Sequence, residues 1–253
     1  MPQALDYSRV ADLYDSYVRV DSDVPFFVEE ATAVRGEVLE LTSGTGRVSL
    51  PLVEAGVRLT CVDNSPEMLA VLRHKLAARG LQAEVVEQDI CALDLGRRFE
   101  LVLIPFHAFS ELSDTGDQRQ ALARIAGHLA PDGRLVVTLR NGRLHQVVGE
   151  GGLRLLADCP RDGGGRLLVW WQSVDPHQPG RAAGLELFEE YDAAGRLVGK
   201  RVADVRFRVF SRDEFAALAD DAGYRVVALY GDYQRSPFDE AHSPYLVWVL
   251  RGP

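Results

Sequence analysis

Val38-Leu39-Glu40-Leu41-Thr42-Ser43-Gly44-Thr45-Gly46, followed by Leu59-Thr60-Cys61-Val62-Asp63, is the pair of segments that decides the fold. Val38 to Leu41 is a short apolar run with β-forming residues and reads as a buried parallel strand. Gly44 and Gly46 carry no Cβ, so the chain can turn tightly there and approach a ligand with its backbone. Apolar residues at helical spacing continue to Ala55. Leu59 to Asp63 is the next strand. An acidic residue at the tip of a second strand, beside a glycine-rich first turn, is placed to accept both hydroxyls of a ribose. The pattern predicts a site for a nucleoside-containing cofactor.

The residues around the turn bear on which cofactor. A dinucleotide fingerprint, G-x-G-x-x-G, aims a helix N-terminus at a pyrophosphate. Here Ser49 stands at the third glycine position, and strand one carries Glu40 just before the turn. A carboxylate repels a pyrophosphate and attracts an ammonium or a sulfonium. That charge argument favours S-adenosylmethionine over a nicotinamide dinucleotide.

The segments Val38–Gly46, Cys61–Leu69, Val86–Ile90, Phe99–His107 and His128–Val137 occur in the order and spacing that resemble the motifs of class I S-adenosylmethionine-dependent methyltransferases. The resemblance covers about residues 7–140 and 205–251. One position departs from it: Thr42 stands where the family's first loop glycine is usual. The resemblance implies roles by position. Glu40 would orient the cofactor's ammonium, with Thr42, Gly44 and Gly46 forming its loop and Asp63 and Asn64 at the ribose. Met68 would either lie under the adenine or belong to a helix core. Asp89 and Ile90 would read the adenine edge, and Pro105 and Phe106 would line the pocket near the sulfonium. Tyr14 would close over the cofactor's carboxylate or anchor a helix. His107, at the end of the fourth strand, is the candidate general base; the other reading is a histidine that shapes the pocket. S-adenosylhomocysteine would be the second product. The implied reaction is in-line methyl transfer to an O, N or S nucleophile of a small molecule. A catalytically silent cofactor-binding module is the alternative, and a nicotinamide-dependent oxidoreductase is a less favoured one.

Strand patterns near 37–41, 58–63, 82–87, 99–105 and 134–140 alternate with helix patterns near 47–55, 66–79 and 116–129. This alternation predicts an α/β, Rossmann-like, doubly wound and mostly parallel sheet. Residues 1–34, rich in tyrosine and phenylalanine, read as a helical cap, with Asp23-Val24-Pro25 starting a new helix. Residues 142–210 break the rhythm. Turns at 149–152, 163–165, 175–176 and 193–195 separate alternating runs, which predicts an antiparallel β insertion over the substrate side. Trp170, Trp171, Arg140, Asn141 and Tyr233 are further candidate pocket residues. The core, residues 35–141 and 211–253, resumes at a capping box, Ser211 to Glu214. Two closing strands near 224–230 and 245–250 complete a seven-stranded sheet.

The chain has 253 residues and a net charge of −9. The acidic balance argues against a nucleic-acid partner. No apolar run approaches the ~18 residues of a membrane span, and the N-terminal residues lack a signal-peptide pattern. Cys61, Cys91 and Cys159 are scattered without a C-x-x-C pair, which points to a reducing, cytoplasmic setting and no metal site. Exposed strand edges in the insertion suit pairing of two copies as a homodimer.

Overall fold

The computed structural model describes residues 7–142, 152–174 and 180–253. Two sheets organise it. The first has seven strands: β1 (Val38–Leu41), β2 (Leu59–Asp63), β3 (Glu84–Glu87), β4 (Phe99–Ile104), β5 (Leu129–Arg140), β10 (Arg225–Tyr230) and β11 (Tyr245–Arg251). Their order is β10-β11-β5-β4-β1-β2-β3. β1 pairs in parallel with both β2 and β4, and β4 pairs in parallel with β5. β11 runs antiparallel to both neighbours, so it closes the sheet as the sequence predicted.

β1 and β2 are buried along their whole length, because helices cover both faces of a parallel sheet. The chain reverses strand order at β1, whose neighbours are β2 and β4. Ligands bind outside the carboxyl ends of the strands at such a switch point. One apolar layer sets Leu41, Phe99, Ile104 and Leu139 against Phe215 and Trp248. On the other face Val38, Leu101 and Val247 meet Phe26, Phe27 and Leu72.

The helices are α1 (Ala11–Tyr17), α2 (Val24–Thr32), α3 (Ser49–Glu54), α4 (Pro66–Arg79), α5 (Thr115–His128) and α6 (Arg212–Asp221). Ser65 caps α4 by accepting from the Met68 amide, and Pro66 opens the helix. Ser211 and Glu214 form the reciprocal box at the start of α6. α3 is shorter than the predicted 47–55, because the loop conformation extends through Gly46 (φ +87°) before the helix can begin. β5 begins earlier than the predicted 134. Leu129 already pairs with Phe99, and Asp132 (φ +64°) lets the Pro131–Gly133 turn sit inside the strand.

The second sheet follows β5: β6 (Arg154–Pro160), β7 (Arg166–Ser173), β8 (Arg181–Tyr191) and β9 (Leu197–Arg208), all antiparallel neighbours in chain order. Its inner face packs Leu167, Val169, Phe188 and Val205 against Val10 and Leu13 at α1. The turn predicted at 175–176 and most of that at 149–152 lie outside the described residues. Among the described residues no helix is long and apolar enough to cross a membrane. No group of three or more potential metal ligands occurs among them either.

Candidate active site

The site is built on the carboxyl ends of β1, β2 and β4. Residues 42–46 leave β1 with three left-handed residues: Thr42 at φ +58°, Gly44 at +53° and Gly46 at +87°. A threonine in this region is a real backbone outlier. Thr42 therefore adopts the conformation that favours glycine at this position of the family pattern, and its hydroxyl bonds back to the Leu41 carbonyl. The loop is stitched to β2. The Ser43 amide donates to the Val62 carbonyl at 3.0 Å, and the Gly44 amide donates to Asp63 Oδ2 at 2.8 Å. Asp63 Oδ1 accepts the Ser65 amide at 2.9 Å. The Asn64 amide also acts on this carboxylate, and a carboxylate has about four lone-pair sites, so acceptor capacity remains. Asn64 is exposed beside it. Met68 is buried, and its Cε lies 3.9 Å from where a Cβ on Gly44 would stand, directly under the loop.

Glu40 is 1% exposed and accepts Ser49 Oγ at 2.6 Å. The hydroxyl that replaces the third glycine is therefore the partner of the strand carboxyl. Burial pushes Glu40 up to about 8, with the Ser49 bond and the charge of Arg47 pulling against it. Between an unfolded value of 4.5 and a folded value of about 8 the folded chain holds a proton that the unfolded chain does not. Stability contributed by this group is complete below the unfolded value and is lost as pH rises through the folded one. Urea unfolding of the ligand-free protein at pH 5 and pH 8 should show a fall with pH that Glu40→Gln reduces. An identical fall in the variant would contradict this.

The N-terminal helices are latched onto the loop. Thr45 Oγ1 donates to Asp15 Oδ1 at 2.7 Å, Lys75 pairs with Asp15, and Lys75 Nζ donates to the Thr45 carbonyl at 2.9 Å. Arg47 forms a two-pronged pair with buried Asp23 at 2.5 and 2.7 Å and donates to the Val20 carbonyl. Its guanidinium also lies 4.6 Å from the centre of the Phe106 ring.

At the end of β4, Phe106 (φ +55°) and His107 (φ +66°) are consecutive left-handed residues. Such a pair costs about 1–3 kcal/mol per residue and is held only where the surroundings impose it. The His107 ring stacks between Phe106 and Tyr245, with centroids 5.9 and 5.3 Å away. Its backbone amide donates to Thr138 Oγ1. A cavity of about 350 Å³ opens here, lined by Phe106, His107, Arg140, Tyr233 and Tyr245 among others. A hollow of about 190 Å³ between α2 and the far end of α3 contains none of the candidate residues. Pro105 is buried below the strained pair. Asp89 is exposed and caps the turn Ile90–Ala92 by accepting the Cys91 amide at 2.8 Å, while Ile90 packs on the sheet core.

Tyr7, Tyr14 and Tyr17 form a row of edge-to-face rings that ends on Phe188 of the insertion, with centroids 5.4–6.1 Å apart. Burial raises all three phenols, so they stay protonated. Tyr7 Oη donates to Glu111 Oε1 at 2.6 Å. Glu111 is held at about 7 by burial, against the pull of that bond. Glu186, on β8, is also held at about 7 by burial, with Arg140 pulling it down. Tyr17 lies within electrostatic reach of both carboxyls.

The structure thus brings Thr42, Gly44, Gly46, Asp63, Met68 and Glu40 around one loop, with Tyr14, Phe106 and His107 on the flank. Asn141 turns away from the cavity to the 240–243 loop, donating to the Glu240 and Ser243 carbonyls. Trp170 donates to Glu189, while Trp171, on the opposite side of the strand, packs with the inner apolar cluster. Arg47, Asp15, Asp23, Glu111 and Glu186 were not among the predicted site residues. A basic residue directly after the last loop glycine was the only local signal for any of them.

A methyltransferase domain family matches residues 38–133, from β1 into β5. A cypemycin N-terminal methyltransferase of a Streptomyces species is 35% identical over 214 residues, covering 85% of this chain and 82% of that protein. The chain belongs to the class I S-adenosylmethionine-dependent methyltransferases. The CcbJ methyltransferase from Streptomyces caelestis superposes on this methyltransferase with a TM-score of 0.80 at 27% identity, covering 97% of this chain and 96% of that one. A glycine/sarcosine N-methyltransferase of Halorhodospira halochloris is 33% identical over 134 residues, 51% of this chain and 50% of that protein. The chain spans about half the length of several curated relatives that it matches. S-adenosylmethionine is the cofactor of the family. The loop fits it: a paired-amide carboxylate with spare acceptor capacity at β2 and an acidic group behind β1 suit a ribose and a cationic head.

Proposed function

We propose that this methyltransferase acts on an amine nitrogen of a small molecule. The observation that carries the proposal is the pair of carboxyls, Glu111 and Glu186, set against the tyrosine row and each held near neutrality by burial. Carboxylates and aromatic faces together attract an organic cation such as a protonated amine. A phenol or alcohol acceptor lacks the positive charge that draws a protonated amine to two acidic groups. The relatives named above as N-terminal and glycine/sarcosine N-methyltransferases act, by their names, on amines, which supports the same reading.

In this proposal Asp63 accepts from the ribose, and Glu40 orients the ammonium of the cofactor's amino-acid end. Gly44 and Met68 shape the floor beneath. Bound there, S-adenosylmethionine supplies an electrophilic methyl group on a sulfonium. Phe106, Pro105 and Tyr14 keep water from the reacting centre, and the tyrosine row positions the acceptor; positioning and water exclusion supply much of the acceleration in such displacements. Asp89 and Ile90 read the adenine edge. His107, clamped between two rings, shapes the pocket.

The test uses matched acceptors, 3-amino-3-deoxyglucose against glucose and a free-amine dipeptide against its N-acetyl form, with S-adenosylhomocysteine release as the readout. Turnover confined to the amines supports the proposal. Turnover on the hydroxyl or N-acetyl partners alone would overturn it.

A further inference from the structure

We propose that Glu111 is the group that takes the proton from the acceptor's ammonium, and that Tyr7 holds its carboxylate for that step. This rests on the amine reading above and assigns the proton transfer that reading requires.

An amine that arrives protonated has no lone pair to donate. One N–H bond must break, its pair must stay on nitrogen, and the proton must find an acceptor before the nitrogen can attack a methyl carbon. Few groups around the carboxyl ends of β1, β2 and β4 can accept it. Tyr7, Tyr14 and Tyr17 are neutral donors. His107 is buried in a stack between Phe106 and Tyr245. Asp63 is engaged by the loop amides and assigned above to the ribose, and Glu40 lies behind β1, bonded to Ser49.

Glu186 lies on β8 under the charge of Arg140. Glu111 differs from all of these in being held by Tyr7. It sits in the short turn Ala108–Glu111, which leaves directly from the strained pair Phe106–His107. Phe109 and Ser110 of that turn are buried, whereas Glu111 is only half-buried. Its Oε1 accepts Tyr7 Oη at 2.6 Å across a sequence separation of 104 residues. One bond thus ties the N-terminal segment to the turn after β4 and fixes the carboxylate between them. The charged or titratable groups that act on Glu111 or feel it are Tyr7 from the N-terminal turn, Tyr14 and Tyr17 from α1, and Asp63 from β2. Asp63 adds a like charge and Tyr7 adds a donor, so the carboxyl is tuned from both sides. In the proton transfer the acceptor's N–H bond breaks, an O–H bond forms on Glu111, and the electron pair remains on nitrogen; as the C–N bond then forms, the methyl's S–C bond would break with its pair left on the sulfur of S-adenosylhomocysteine. Loss of the proton from Glu111 to solvent resets the group.

A carboxyl that ionises at about 7 is a stronger base than an ordinary glutamate and is still ionised in a useful fraction near neutral pH. Activity on an amine should therefore rise with pH along a limb centred near 7.

The variants are Glu111→Gln, Glu111→Asp and Tyr7→Phe. Each is measured for S-adenosylhomocysteine affinity, for calorimetric binding of 3-amino-3-deoxyglucose, and for kcat against pH with that amine. Glu111→Gln should lower kcat by roughly 100-fold or more, lose the acid limb and weaken the amine, while S-adenosylhomocysteine affinity stays within about twofold. Tyr7→Phe removes a bond that favours the ionised form, so its limb should move to higher pH with the carboxylate still in place. Glu111→Asp, which shifts the carboxylate rather than removing it, should keep the limb at reduced kcat. A folded Glu111→Gln enzyme that keeps both kcat and the limb overturns this assignment while leaving the amine reading intact. Wild-type turnover on hydroxyl acceptors alone overturns both.

Discussion

Asp63→Asn should weaken S-adenosylmethionine binding about 10- to 100-fold, and Asp63→Ala should weaken it at least as much. Asp63 is the last residue of β2 and is 9% exposed, so its remaining acceptor sites face the loop rather than bulk water. Hydrogen bonds to a charged group contribute about 1.5–3 kcal/mol, and each 1.4 kcal/mol is about a factor of ten. The asparagine variant keeps the shape and one acceptor oxygen but loses the charge. It also turns an amide donor toward either the Gly44 or the Ser65 N–H, both of which now donate to the carboxylate. The loop and the ribose site should therefore fail together. Calorimetric titration of a variant that still unfolds cooperatively is the measurement. Wild-type affinity in folded Asp63→Asn would contradict the ribose assignment.

Gly46→Ala should destabilise the protein by about 2–5 kcal/mol, from about 1–2 kcal/mol for the left-handed backbone and about 1–3 kcal/mol for overpacking. Gly46 sits at φ +87°, and a Cβ there would lie 2.4 Å from Leu72 Cδ1 on α4. Leu72 is fully buried, so it has little room to retreat. For a chain of this size the expected fall in Tm is roughly 4–20 °C. The two contributions can be separated, because Leu72→Ala removes the clash but not the backbone strain. Gly46→Ala combined with Leu72→Ala should cost less than the sum of the two single changes. Strict additivity would mean that the contact with Leu72 does not limit this position.

The parallel sheet was readable because its information is local. Each buried strand is a short apolar run, each turn carries glycine or a cap, and the carboxylate of Asp63 comes at the end of a strand. The helix from Pro66 to Arg79 has the predicted bounds, since Ser65-Pro66 at its start and Gly80 (φ +65°) at its end are both local signals. The departures have physical causes as well. Asp132 in a left-handed conformation allowed β5 to start five residues before the predicted 134.

The mouth of the site was less legible, because it is made by contacts between distant segments. Tyr7 reaches Glu111, Asp15 reaches Thr45 and Lys75, and Asp23 reaches Arg47. No motif points from one of these partners to the other, and a glutamate in a loop looks the same in sequence whether it faces water or a pocket. What singles out Glu111 and Glu186 is their place beside the tyrosine row, which only folding creates and no spacing rule reports. The same holds for His107. Its place at the end of β4 was clear, but its stacking between Phe106 and Tyr245 depends on β11, far along the chain.

The central claim is that the loop from Thr42 to Gly46, with Asp63 and Glu40, forms a site for S-adenosylmethionine. Parallel calorimetric titration of the purified protein with S-adenosylmethionine, S-adenosylhomocysteine and NAD tests it most directly. Micromolar binding of both adenosyl compounds and none of NAD is the predicted result; binding of NAD alone would contradict the account.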